Sequence, residues 1–108
     1  MILSDFVFFD LNNTSTTSNV CYVANGNSLV VQVSQTGSDA INITLEGKVD
    51  IDSNTWATLA CVDSASLATK NSIASTGIFI IPISGISHIR ATNAGTAGAI
   101  KMYGKVIG

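Results

Sequence analysis

The chain has 108 residues and a formal net charge of −2; Asp, Glu, Lys and Arg supply only 12 of them, whereas Ser, Thr and Asn together supply 33. With 46% hydrophobic residues and so little charge, it is excluded from the disordered class, which needs low hydrophobicity and high net charge, and its acidic balance argues against a nucleic-acid-binding protein. One core suffices at this length, burying roughly two-thirds of the surface that the unfolded chain exposes.

Residues 1–18 read as an N-terminal strand or arm, with the aromatic run Phe6 to Leu11, followed by the polar loop Asn12 to Ser18. Val20 to Ala24 and Leu29 to Val33 flank Asn25-Gly26-Asn27, where Asn and Gly adopt positive φ at little cost, which predicts a tight hairpin. Thr36-Gly37-Ser38-Asp39 turns the chain into residues 41–51, where apolar residues or glycine alternate with polar ones. Only a half-buried strand alternates with period two, so Ile41, Ile43, Leu45, Val49 and Ile51 face a core while Asn42, Thr44, Glu46, Lys48 and Asp50 stay wet. After Asp52-Ser53-Asn54, the stretch Thr55 to Val62 forms a strand with Trp56 as the expected centre of the core.

Residues 63–76 are small and polar, and read as a loop. Gly77 to Ser84 is nearly all apolar, and Pro82 cannot donate a ladder hydrogen bond, so this strand is expected at an edge or with a bulge. Ser84-Gly85 turns the chain, Ile86 to Thr92 forms a strand, Asn93 to Gly98 connects, and Ala99 to Ile107 closes the series. The expected fold is all-β: a single antiparallel β-sandwich domain spanning 1–108, with about 7–8 strands and a jelly-roll-like arrangement.

Met1 to Asp5 lacks a basic leader, the run Phe6 to Phe9 is too short for a signal core, and no run approaches about 18 apolar residues. The expectation is a product made in a cytoplasm, with no membrane partner. Cys21 and Cys61 lie in strand-like segments and are expected as free thiols. Asn12, Asn13 and Asn42 begin N-x-S/T triplets, which carry little weight without a secretory route.

No catalytic, cofactor or metal residue is assigned. His88 is the one histidine, and alternation sends its neighbour Ser87 to the opposite strand face, so His88 reads as a wet strand residue. Asp50-x-Asp52-x-Asn54 begins like a calcium loop, but Thr55 and Cys61 stand where that loop needs Gly and Glu, and a hairpin turn accounts for these residues. Gly95 and Gly98 lack the Lys-Ser or Lys-Thr of a phosphate loop. Lys101-x-Tyr103-x-Lys105 puts two cations and an aromatic on one strand face, with Arg90 expected nearby; solubilising the strand explains them better than nucleic acid.

All seven acids and one base lie in the first 64 residues and the other four bases follow; complementary ends can meet head to tail between subunits, but strands that interleave and mix the charges in space are the better account. Assembly is indicated instead by the strand edges. The open edges of a sandwich need guarding by charge, proline or bulges, and this chain has one proline and few charges. A homo-oligomer is the expectation. Phe6, Phe8, Phe9, Arg90, Lys101, Tyr103 and Lys105 are its candidate interface residues.

The succession Val31-x-Val33, Ile43-x-Leu45-x-Gly47-x-Val49, Thr55-Trp56-Ala57-Thr58-Leu59, Gly77-Ile78-Phe79-Ile80-Ile81-Pro82-Ile83, Ile89-Arg90-Ala91 and Gly98-Ala99-Ile100-x-Met102-x-Gly104 resembles small β-sandwich proteins on tailed-bacteriophage virions. These include head decoration, head-fibre and tail-accessory modules. The likeness runs from about residue 28 to the end; Gly77-Ile78-Phe79 departs from the Gly-x-Tyr that often opens the late strand in that family. It implies a non-enzymatic virion protein, made in the bacterial host cytoplasm, that decorates and stabilises the assembled head. Its partners would be the major capsid protein or other virion subunits, with a tail or collar accessory as the neighbouring alternative. A carbohydrate-binding jelly-roll module is the competitor from another class, and the few aromatics argue against it.

Overall fold

Alternation of apolar and polar residues is converted into ten strands by the computed structural model, which describes residues 2–10, 17–37, 40–49, 54–95 and 100–108. They are β1 (Ile2–Phe9), β2 (Cys21–Tyr22), β3 (Ser28–Gln35), β4 (Ile43–Lys48), β5 (Ala57–Leu59), β6 (Cys61–Asp63), β7 (Thr69–Lys70), β8 (Gly77–Pro82), β9 (His88–Asn93) and β10 (Ile100–Ile107). Two antiparallel sheets result, one of six strands in the order β1-β10-β3-β8-β6-β7 and one of four in the order β2-β9-β4-β5. The chain is an all-β sandwich, as the alternation predicts, and no helix occurs among the described residues.

The core is the space between the sheets. Leu29, Val31, Val33, Phe79, Ile81, Met102 and Val106 point into it from the larger sheet, and Ile43, Leu45, Ile89 and Ala91 from the smaller one. Each of these side chains larger than alanine, fully buried, contributes about 1.5–3 kcal/mol. Ile41, Ile43, Leu45 and Gly47 face inward as expected, but Val49 is 74% exposed because β4 ends at Lys48. Ile51, Asp50 and Asp52, and with them most of the calcium-like triplet, lie outside the described residues. So do Asn12, Asn13, the Ser38-Asp39 turn positions and Gly98.

Several expectations are corrected by topology. Asn25 has the positive φ foreseen, 70°, yet the turn is no hairpin: β2 pairs with β9 in one sheet and β3 with β10 and β8 in the other. The segment crosses between layers, and Gly26 is buried so closely that a Cβ there would run into Val106 and Ile83. Thr55 to Val62 likewise splits at Ala60, where the chain leaves the small sheet for the large one. Part of the stretch read as a loop forms the two-residue strand β7. Trp56 is not the core centrepiece; it is half-buried, with Lys48 Nζ 4.7 Å and the Arg90 guanidinium 4.3 Å from its ring centroid. Pro82 sits at the end of an interior strand, not an edge. β6 pairs β8 only at Phe79 and Ile80, so the missing N–H of Pro82 falls beyond that ladder.

Ser18 extends the small sheet before β2 begins. Its N–H donates to the Ala91 carbonyl at 2.8 Å, and its hydroxyl accepts from the Ala91 N–H at 2.8 Å while donating to the Asn19 carbonyl at 2.9 Å. Ser18→Ala leaves the Ala91 N–H buried without its acceptor, and urea denaturation should show a loss of about 1–3 kcal/mol.

Both cysteines are buried and free, as the sequence suggests. Burial pushes the Cys21 thiol up from its ordinary value of 9.0 to about 11, and raises Cys61 as well, with Lys70 opposing and Asp63 adding to the rise. Above pH 9 the unfolded chain sheds the Cys21 proton while the folded one keeps it. This contribution to stability is therefore whole below pH 9 and declines towards about pH 11. Chemical denaturation across that range should fall more steeply for the wild type than for Cys21→Ala; parallel slopes would refute the assignment.

Candidate interaction surface

Alternation along β10 turns Met102 and Val106 inward and leaves Lys101, Tyr103 and Lys105 on the outer face of the six-stranded sheet. On β1 the alternation breaks. Register shifts occur between Ile2 and Ser4 and between Val7 and Phe9, and a bulge resets which face a residue takes. Phe8 and Phe9 therefore both lie in the core, leaving Phe6 half-buried with its ring 6.4 Å from that of Phe8. Of the three phenylalanines expected to contact a partner, two are spent on packing.

Strand register assembles the outer face into rows. Val7 pairs with Tyr103, Tyr103 with Gln32, and Gln32 with Ile78. The next outward row runs Asp5, Lys105, Val30, Ile80 and Val62. Between these rows the backbone of Gly104 and its neighbours Phe6 and Val31 floor a groove of about 380 Å³, walled by Val7, Tyr103, Gln32 and Ile78 on one side and by Asp5, Lys105 and Val30 on the other. Val7, Ile78, Ile80 and Tyr103 are each more than a third exposed, so apolar surface is displayed across several adjacent strands. Gln32 interrupts the apolar row between Tyr103 and Ile78, so the exposed apolar side chains flank the groove on both sides of it, a candidate contact surface.

The charges at its rim are weakly tied. Lys105 Nζ lies 4.0 Å from Asp5 Oδ1, both side chains more than half exposed, an arrangement that contributes little to stability. Lys101 Nζ sits 4.7 Å above the Tyr103 ring. Of the remaining sequence candidates, Arg90 is not nearby: it lies on the outer face of the other sheet, where its Nε donates to Glu46 Oε1 at 3.1 Å.

That second face holds His88, and two expectations about it fail. His88 is 8% exposed rather than wet, because the Tyr22 ring covers it at 5.1 Å. Ser87 precedes β9 and escapes strand alternation, so its hydroxyl reaches His88 Nδ1 at 2.7 Å and the Lys48 carbonyl at 3.1 Å. The Lys48 carbonyl can only accept, so both contacts are met when the hydroxyl donates to it and the Ser87 oxygen accepts from a protonated Nδ1, which makes the pair part of a packed hydrogen-bond cluster. Among the described residues no group of three or more His, Cys, Asp and Glu comes together as a metal cage.

Sequence reasoning found Tyr103, Lys101, Lys105 and Phe6 on this surface but missed Val7, Ile78 and Ile80. The unbroken apolar run of β8 held the signal, since a strand apolar on both faces has one apolar face left over when only the other meets the core.

No family model matches the chain, and no curated protein matches it. Among solved structures it superposes on the SPBc2 prophage-derived protein YomS with a TM-score of 0.83 and 18% identity, over 97% of this chain and 92% of that one. It also superposes on the PBSX exported protein XepA with a TM-score of 0.84 and 20% identity, over 95% of this chain but only 37% of that one. The chain thus spans a little over a third of XepA. At these identities the likeness concerns architecture, and the chain shares its β-sandwich fold with YomS and with part of XepA.

Proposed function

We propose that the chain is a non-enzymatic bacteriophage virion protein that decorates the assembled head, attaching as a homo-oligomer to capsid subunits or their neighbours. The observation that carries this reading is the outer face of the six-stranded sheet, where Val7, Ile78, Ile80 and Tyr103 expose apolar surface around a groove on a molecule with very few charges. Burying such a face against a partner gains roughly 25 cal/mol per Å² of apolar area, and many identical sites on a lattice let modest contacts add up. Preferential binding to the assembled state would stabilise the particle. The fold shared with prophage-derived YomS supports a phage setting, in keeping with the resemblance to small virion β-sandwiches read from about residue 28 onward.

Mass spectrometry of gradient-purified particles of the phage that encodes the chain is the test. The chain should be present in many copies per mature head; finding it in tails would favour the tail or collar role, and finding it in no particle would end the proposal.

One observation favours glycan binding as a second reading. On the four-stranded sheet, Tyr22 is 63% exposed beside His88, and Trp56 lies across the same face with Lys48 and Arg90. Specific binding on a glycan array that Tyr22→Ala removes would support it, and a blank array would dismiss it.

A further inference from the structure

Asn25-Gly26 is the one Asn-Gly step in the chain, and it stands where the backbone crosses from β2 in the small sheet to β3 in the large one. Such a pair carries a built-in reaction. The glycine backbone nitrogen can attack the side-chain carbonyl carbon of the asparagine, because no Cβ at the second position hinders its approach. The new N–Cγ bond closes a five-membered succinimide, the attacking nitrogen gives up its proton to solvent, and the side-chain nitrogen leaves as ammonia. Water then opens the ring at either carbonyl to give aspartate or isoaspartate, so an amide is exchanged for an acid with no oxidant or reductant.

The fold keeps the two reacting groups apart. Asn25 is exposed, but Gly26 is buried. The Gly26 N–H, whose proton must be lost, donates to the Val23 carbonyl at 3.1 Å and so closes the turn in which Asn25 takes φ 70°. A Cβ on Gly26 would run into Val106 and lie 2.8 Å from Ile83 Cδ1, which leaves this stretch of backbone no space to swing towards the Asn25 side chain. The next residue is pinned from two sides: the Asn27 N–H donates to the Ile107 carbonyl at 2.8 Å, and the Asn27 carbonyl accepts from the Ile83 N–H at 3.1 Å. We propose that Asn25 is a deamidation site that the crossover turn holds shut, so that the modification takes place only in molecules whose 23–27 segment has opened. Isoaspartate routes the main chain through Cβ and lengthens it by one carbon, which keeps Gly26 from returning to its slot between Val106 and Ile83. Each opening therefore exposes the chain to a one-way exit from the folded population, whatever surface it docks onto.

Peptide-mapping mass spectrometry tests this on protein held at mildly alkaline pH, once in buffer and once unfolded in guanidinium chloride. Asn71-Ser72, where Asn71 is exposed, serves as the internal reference. In denaturant Asn25 should convert well ahead of Asn71. In buffer its rate should fall at least roughly tenfold, in step with the hydrogen-exchange protection of the Gly26 N–H. Asn25→Gly accepts the positive φ without strain, so this variant should keep the melting temperature and lose the signal at that peptide. The isoaspartate fraction, separated by chromatography, should melt well below the unmodified chain. Equal rates at Asn25 in buffer and in denaturant, or an isoaspartate fraction that melts together with the unmodified chain, would overturn the proposal.

Discussion

Phe79→Ala is expected to lower the free energy of unfolding by about 3–5 kcal/mol, the usual cost of deleting a buried aromatic ring. Phe79 lies 1% exposed on β8, an interior strand flanked by β3 and β6, with its ring on the inner face. Both layers meet at this point, so the cavity left behind cannot be closed by moving one loop. A small domain has about 5–15 kcal/mol of stability in all, which puts the variant near the threshold of folding. Urea denaturation should show a large drop in midpoint at an unchanged slope.

Gly104→Val tests the same core from the opposite direction. Gly104 occupies an inward position of β10, and a Cβ built there lies 2.8 Å from Phe8 Cε2, 3.1 Å from Leu29 Cδ1 and 3.2 Å from Val31 Cγ1. The Phe8 ring, inward next to outward-facing Val7, fills the space a β10 side chain would need. Overpacking of this kind costs about 1–3 kcal/mol. A second substitution, Phe8→Leu, should recover part of the loss in the double variant, because it shortens the group that clashes. Purely additive losses would mean that Phe8 and Gly104 are not coupled as described.

These two sites also show what could be read in the sequence. The alternation of residues 41–51 and the inward positions of β3 and β10 announced a two-layer sandwich, because a series of short strands apolar on one face, with no long helical pattern to cover them, packs sheet on sheet. Trp56, Phe8 and Phe9 were misplaced for specific reasons. Trp56 is half-buried with the Lys48 and Arg90 cations over its ring, an option that hydrophobicity alone does not reveal. Phe8 and Phe9 became neighbours in the core through a bulge, which depends on pairing with β10 and leaves no local mark. Ser87 met His88 because it stands just outside the strand. The interaction surface was half visible: Lys101, Tyr103 and Lys105 came from alternation, whereas Val7, Ile78 and Ile80 emerge only when strand pairing decides which face of β1 and β8 meets the core.

Docking through the outer face of the six-stranded sheet is the claim on which the functional account depends. Co-sedimentation of the purified chain with heads lacking it, run beside the double variant Val7→Lys/Ile78→Lys, tests it most directly. Both residues are exposed, so the variant should fold with the wild-type melting temperature. The account predicts that wild-type protein pellets with the heads and that the variant stays in the supernatant. Equal pelleting of the two proteins, or a wild type that never leaves the supernatant, would contradict it.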